Sequence, residues 1–185
     1  MRKWMKQTIA ILTLVGMIPG ASDALGFRHL GVSVGLDLTQ TNALAAPATM
    51  TGTGTSFDSA RLAVGGFLNL GEFFIDHLDF VPGMDLVLQD DLNIYSFNVD
   101  TRYRFYRGEG VTGYFGAGVG VHLFRPDTPS ALLRNETKGS LNIPIGFQRR
   151  LGTGLGWFGE LKLVIADSQT DSSFRFSVGL LLGGT

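Results

Sequence analysis

The chain has 185 residues, of which 44% are hydrophobic and 17% charged, with 26 glycines, 14 phenylalanines and no cysteine. The lack of cysteine excludes disulfides, thiolate metal sites, thiol nucleophiles and a lipidated N-terminal cysteine. A formal charge of −1, with no basic run, leaves no nucleic-acid footprint.

The first element is "MRKWMK", which carries Arg2, Lys3 and Lys6, followed by an apolar run from Thr8 to Ile18. "PGASDALG" then places Ser22 and Ala24 at positions −3 and −1 of a cut after Ala24. A basic start, a short apolar run and small residues before the cut describe a secretory signal peptide. The run is too short for a membrane-spanning helix, which needs about 20 residues. Residues 1–24 are therefore expected to be removed, leaving 25–185 as one domain.

The mature chain begins with "HLGVSVGLDL", which alternates without a slip. Leu30, Val32, Val34, Leu36 and Leu38 take one face; His29, Gly31, Ser33, Gly35 and Asp37 take the other. Successive strand residues point to opposite faces, so the stretch is a strand with one apolar and one polar side. Seven further stretches repeat the pattern: "SARLAVGGFLNL", "HLDFVPGMDLVLQ", "YSFNVDTRYRF", "TGYFGAGVGVHLF", "SLNIPIGFQ", "WFGELKLVIA" and "SFRFSVGLLL". Most connections are short and turn-rich, such as "RGEG" and "RLGTGLG". Two are longer, Thr39–Ser56 and Arg125–Lys138. Pro82 and Pro144 cannot donate a ladder hydrogen bond. They predict a bulge at Pro82-Gly83 and a distortion near Pro144.

Alternation alone does not say which face meets water, because soluble and membrane barrels both alternate. Charge decides it. Asp37, Arg61, Asp79, Asp85, Asp100, Arg102, Arg104, Glu160, Lys162 and Arg175 all fall on the polar face of their strands. Five are basic and five acidic. A solvated surface has no reason to balance, whereas a narrow lumen does, since a buried unpaired charge is costly. The polar face is also rich in glycine and serine, as a lumen filled by side chains requires. Tyr103, Phe105, Tyr106, Tyr114, Phe115, Phe147, Trp157 and Phe158 gather at one rim, and Tyr95, Phe97, Phe174 and Phe176 at the other. Such girdles mark membrane interfaces. The predicted fold is all-β: an eight-stranded antiparallel up-and-down transmembrane β-barrel, its apolar face toward lipid and the ten charges forming a paired network inside.

With its eight alternating segments, signal peptide and short and long loops, the chain resembles the small outer-membrane β-barrels of Gram-negative bacteria, the OmpA/OmpX-like superfamily. The resemblance covers residues 27–182 and rests on pattern rather than on a motif. It implies a monomer in the bacterial outer membrane, in contact with outer-membrane lipid and lipopolysaccharide and inserted by the barrel-assembly machinery. That machinery uses a C-terminal pattern ending in an aromatic residue. Ser177, Gly179 and Leu182 fit it, but Gly184 stands where the aromatic should be.

Some barrels of this size modify lipids, and a lipid A deacylase of this fold resembles a Ser/His/Glu hydrolase with a His-x-Ser pair. Here His29, His77 and His122 are followed two residues later by Gly31, Asp79 and Phe124. All three histidines point inward by parity, where they are expected to join the lumen hydrogen bonds. Ser130, in the second long loop, gives His122 only a weak nucleophile–base pairing with no placed acid. No metal spacing appears, and "GAGVG" at 116–120 and "GTGLG" at 152–156 precede no helix and are not phosphate cradles. No catalytic, cofactor or metal site is expected. Function is expected to be structural or interactive, through the long loops. The alternatives are a lipid-modifying enzyme of the acyl hydrolase or transferase type and a narrow solute channel.

Overall fold

In a computed structural model, the described residues are 26–39, 60–89, 92–108, 110–126, 135–166 and 172–183. The expected signal peptide, Ser130, Gly184 and most of the loop Thr39–Ser56 lie outside them. The strands are β1 (His29–Thr39), β2 (Arg61–Asn69), β3 (Glu72–Phe73), β4 (Ile75–Gln89), β5 (Leu92–Gly108), β6 (Val111–Pro126), β7 (Glu136–Gly152), β8 (Leu155–Ala166) and β9 (Ser173–Leu182). Each long strand pairs antiparallel with its neighbours along the chain, and β9 returns to β1. The sheet therefore closes into an eight-stranded barrel, with β3 a two-residue extension of β4's hairpin. Closure removes every strand edge, as a backbone in hydrocarbon requires.

The two periodic faces separate completely in the middle of the barrel. Val34 is 48% exposed, Ile143 45% and Val119 58%, whereas Ser96, Asp100 and Asn142 are no more than 2% exposed. The outer face is apolar and the charged residues are inside, with some apolar residues filling the lumen beside them, the reverse of a soluble core. Register is held by that polarity: a slip of one residue would turn every inward charge to the outside. Asp37 faces Arg61 across β1–β2 and Arg175 across β1–β9.

Several strands outrun the apolar pattern. β5 and β7 each have 17 residues, and β4 has 15. β6 continues through Arg125 to Pro126, and β7 begins at Glu136, so both ends of the expected loop Arg125–Lys138 are strand. Hydrophobic alternation fades outside the lipid, but backbone pairing does not depend on it.

The two ends of the barrel differ. At one end, tight hairpins join β5 to β6 and β7 to β8. Gly110 and Gly154 there hold φ of 77° and 80°, a left-handed conformation that glycine adopts freely. β-Bulges at Glu72/Phe73, Arg104/Tyr106 and Arg150/Gly152 lie at this turn-side rim, where bulges sharpen twist and end pairing. Both described termini, near Phe27 and Gly183, are at the same end.

Pro82 acts differently from expectation, whereas Pro144 brings the expected local distortion. The register of β4 with β5 runs unbroken through Pro82, so Pro82-Gly83 forms no bulge on that side. Instead, the ladder from β2 stops at Phe67 opposite Gly83. It resumes only where the Leu70 N–H donates to the Phe80 carbonyl. Pro144 similarly interrupts the β6–β7 ladder between the Phe115–Ile145 and Gly118–Asn142 pairs, without shifting register. A missing donor removes bonds locally; no extra residue is needed to accommodate it.

Candidate functional site: the filled lumen

The inward side chains fill the barrel in three tiers. The central tier begins with Arg102 on β5, whose guanidinium lies 2.7 Å from Glu160 on β8. It is sandwiched by two rings, 4.1 Å from the centroid of Phe67 and 4.9 Å from that of Tyr114. Tyr114 completes the unit by donating its hydroxyl to Glu160 at 2.9 Å. Lys162, two residues along β8, reaches Asp100 at 3.0 Å, Glu160 at 3.8 Å and Asp85 at 3.9 Å. Arg175 on β9 bridges Asp85 at 2.7 Å and Asp37 at 2.9 Å. Asn98 donates to Asp85, and Asn142 donates to both Asn98 and Asp100. A cavity of about 20 Å³ remains among these groups, room for about one water.

The outer tier is divided between polar and apolar walls. His122 holds Ser96 at 2.6 Å through Nδ1 and Ser140 at 2.8 Å through Nε2. Ala63, Val87, Ile94 and Phe124 pack beside them as an apolar cluster. Arg61, 3% exposed, lies opposite Asp37 in the ladder.

The turn-side tier holds a further ionic set. Arg104 contacts Asp79 at 3.2 Å and also pairs with Glu72. Arg28 reaches the same two carboxylates at 3.4 and 3.2 Å, and Asn69 donates to Asp79 at 2.9 Å. Desolvation raises the Glu72 pKa, but the His77 backbone N–H and the Arg28 and Arg104 charges outweigh it and hold it below the usual value.

All ten charged residues singled out by parity are thus placed inside the barrel. The described contacts link nine of them in two groups, and Arg61 is buried opposite Asp37. Asp37, Asp85, Asp100, Arg102, Glu160, Lys162 and Arg175 form one connected set, and Asp79 and Arg104 belong to the other. Phe67, Val81, Phe158 and Leu181 cluster between them across the lumen, with the Phe67 and Phe158 rings 5.2 Å apart.

Two expectations need correction, and two residues of the site went unnoticed. His77 points out at the rim, 3.8 Å from Glu72, because its φ of 70° breaks the strand's alternation. Tyr114 and Phe158 are each 2% exposed and belong to the lumen rather than to the aromatic girdle. Glu72 and Arg28 join the turn-side set although they precede the alternating stretches that drew attention to their neighbours. No spacing signalled them. Inward parity did place Phe67 and Tyr114 beside the charges, and that signal was available.

The arrangement offers little for catalysis. His122 lies between two serines, but the described contacts give it no carboxylate, and both serines are buried in the lumen. Among the described residues no group of three or more His, Asp or Glu is placed to hold a metal ion.

Solved structures with this architecture are outer-membrane proteins. The N-terminal β-barrel domain of Pseudomonas aeruginosa OprF matches with a TM-score of 0.59 at 11% identity, over 84% of this chain and 98% of that one. Neisserial surface protein A matches with a TM-score of 0.65 at 14% identity, over 86% and 97%. Ail, the attachment invasion locus protein of Yersinia pestis, matches with a TM-score of 0.50 at 12% identity, over 85% and 98%. At such identities the likeness is one of fold. No protein-family model and no curated protein matches the chain.

Proposed function

We propose that this chain is an integral outer-membrane barrel with a filled lumen, acting as a structural or surface-interaction protein through its outer loops. One observation carries the reading: the closed barrel is apolar outside and ionic inside. Such a surface is stable only in lipid. Its shared fold with OprF, NspA and Ail supports the outer membrane as that lipid. The plug has two parts. The central ion-paired tier neutralises the lumen, and the Phe67–Phe158 contact crosses it below. Among the described residues, the cavity lined by Asp85, Asn98, Asp100, Arg102, Glu160 and Lys162 suits a water molecule rather than a solute. Lipid modification is disfavoured because the Ser–His–Ser chain faces inward, away from any acyl chain.

The test combines cell fractionation with planar-bilayer recording. The protein should sediment with outer membranes and, when reconstituted, give no steady single-channel conductance. Recovery in the soluble periplasm would overturn the membrane assignment; stable unitary currents would overturn the plug.

A further inference from the structure

The outward face of β7 runs Leu141, Ile143, Ile145, Phe147 and then Arg149 at its turn-side end. The first four are exposed apolar residues, and Arg149 is exposed in line with them. It sits directly across from Trp157 on β8 and Val111 on β6. Trp157 in turn packs edge-on against Phe147, ring centroids 5.2 Å apart. Among the described residues no carboxylate pairs with Arg149, although every other arginine whose contacts are given above has one. An arginine on a lipid-facing row, at the level of the aromatic girdle and with no counter-charge among the described residues, is placed to meet an anion of the membrane. The guanidinium fork matches a phosphate oxygen pair, and the Phe147–Trp157 edge supplies the apolar wall for the acyl chain beneath it.

We infer that Arg149, Trp157 and Phe147 form a binding site for the phosphate headgroup of a phospholipid in the leaflet at the turn end of the barrel. The site rests on the membrane reading above. Its anion is a lipid phosphodiester rather than free phosphate, because the aromatic wall continues toward the hydrocarbon.

The sequence holds two tryptophans, Trp4 and Trp157. In a Trp4→Phe background, Trp157 therefore reports on the lipid beside it. The protein is reconstituted in bilayers of a neutral, phosphate-free glycolipid containing a small fraction of brominated phosphatidylglycerol. Quenching of Trp157 should correspond to about fivefold enrichment of the brominated lipid over its mole fraction, the scale of one basic side chain at an anionic surface. Arg149→Gln should bring quenching down to the mole fraction, Arg149→Lys should keep part of the excess, and Arg125→Gln, at the opposite end, should leave it unchanged. Quenching at the mole fraction in the parent chain, or equal excess in Arg149→Gln, overturns the site. Millimolar inorganic phosphate should act no more strongly than chloride of equal ionic strength; selective loss of the excess would make free phosphate the occupant. No quenching by any brominated lipid would instead mean that the barrel had not inserted, which separates failure of the site from failure of the membrane reading.

Discussion

Arg102 shows how a charge is made tolerable inside a narrow barrel. Its side chain is 5% exposed and its Glu160 partner equally so. Burying two ions costs several kcal/mol each unless the geometry is good and the remaining polar atoms are satisfied. Here the ion pair is short, Tyr114 donates to the same Glu160 oxygen, and the guanidinium lies over two rings, while Arg102 Nε has no hydrogen-bond partner among the described residues. Arg102→Ala should therefore destabilise the barrel by about 3 kcal/mol, because it leaves the buried Glu160 with only Tyr114 and the more distant Lys162. Arg102→Ala with Glu160→Gln should cost less than the sum of the two single changes, since the pair is coupled. Urea unfolding in lipid vesicles measures both. Additive losses would mean that the pair is not a unit. The same substitution should not create a conductance, because Phe67 and Phe158 still meet across the lumen.

Glu72 makes a contrasting case at the rim. It is partly exposed, so screening weakens its pairs and its worth to stability is a fraction of a kcal/mol. Its pKa is lowered from the usual 4.5 by the His77 N–H and by Arg28 and Arg104, against an opposing desolvation effect. The folded form therefore holds its proton less tightly than the unfolded chain. That contribution is present above the usual value and is lost as pH falls through the folded one. In acid titrations followed by urea midpoint, Glu72→Gln should remove a small downward step below about pH 4.5. Identical pH profiles for variant and parent would contradict it.

At the scale of elements, alternation was enough to find the eight crossing strands. β9 spans the predicted "SFRFSVGLLL" to the residue, and β1 exceeds its prediction by only Thr39. Parity also placed the ten lumen charges. What it could not supply lies where periodicity stops. The hairpin ends of β5 and β7 pair by backbone alone and carry no hydrophobic signal. The reversal of His77 depends on a local φ, and Glu72 enters the ionic set through a bulge. "GAGVG" shows a pattern whose meaning only packing reveals. Gly118 and Gly120 leave inward space for Asp100 and Asn98 on the next strand, where a Cβ would strike their side chains. Gly118→Val should thus destabilise the barrel as strongly as loss of an ion pair, and a wild-type unfolding midpoint would refute the packing. The two faces of β7 give an independent check. Ile143→Arg places a charge in the lipid belt and should cost on the order of 2–4 kcal/mol, whereas a solvated surface would accept it within about half a kcal/mol. Equal stability of Ile143→Arg and parent in a lipid-refolding titration would reverse the face assignment.

Across the whole molecule, the lumen and the belt serve different ends. Under the proposed function, the belt holds the protein in lipid, the filled lumen seals it, and the outer end, opposite the tight turns, is left for recognition. The chain's freedom from cysteine makes the central claim directly measurable. Single cysteines placed in turn from 140 to 147 on β7, spin-labelled in reconstituted bilayers, report contact with dissolved oxygen, which concentrates in hydrocarbon. The account predicts high oxygen accessibility at Leu141, Ile143, Ile145 and Phe147 and low values at Ser140, Asn142, Pro144 and Gly146, a strict period of two. The opposite phase, or uniform accessibility along the strand, would contradict a barrel that turns its apolar face to lipid.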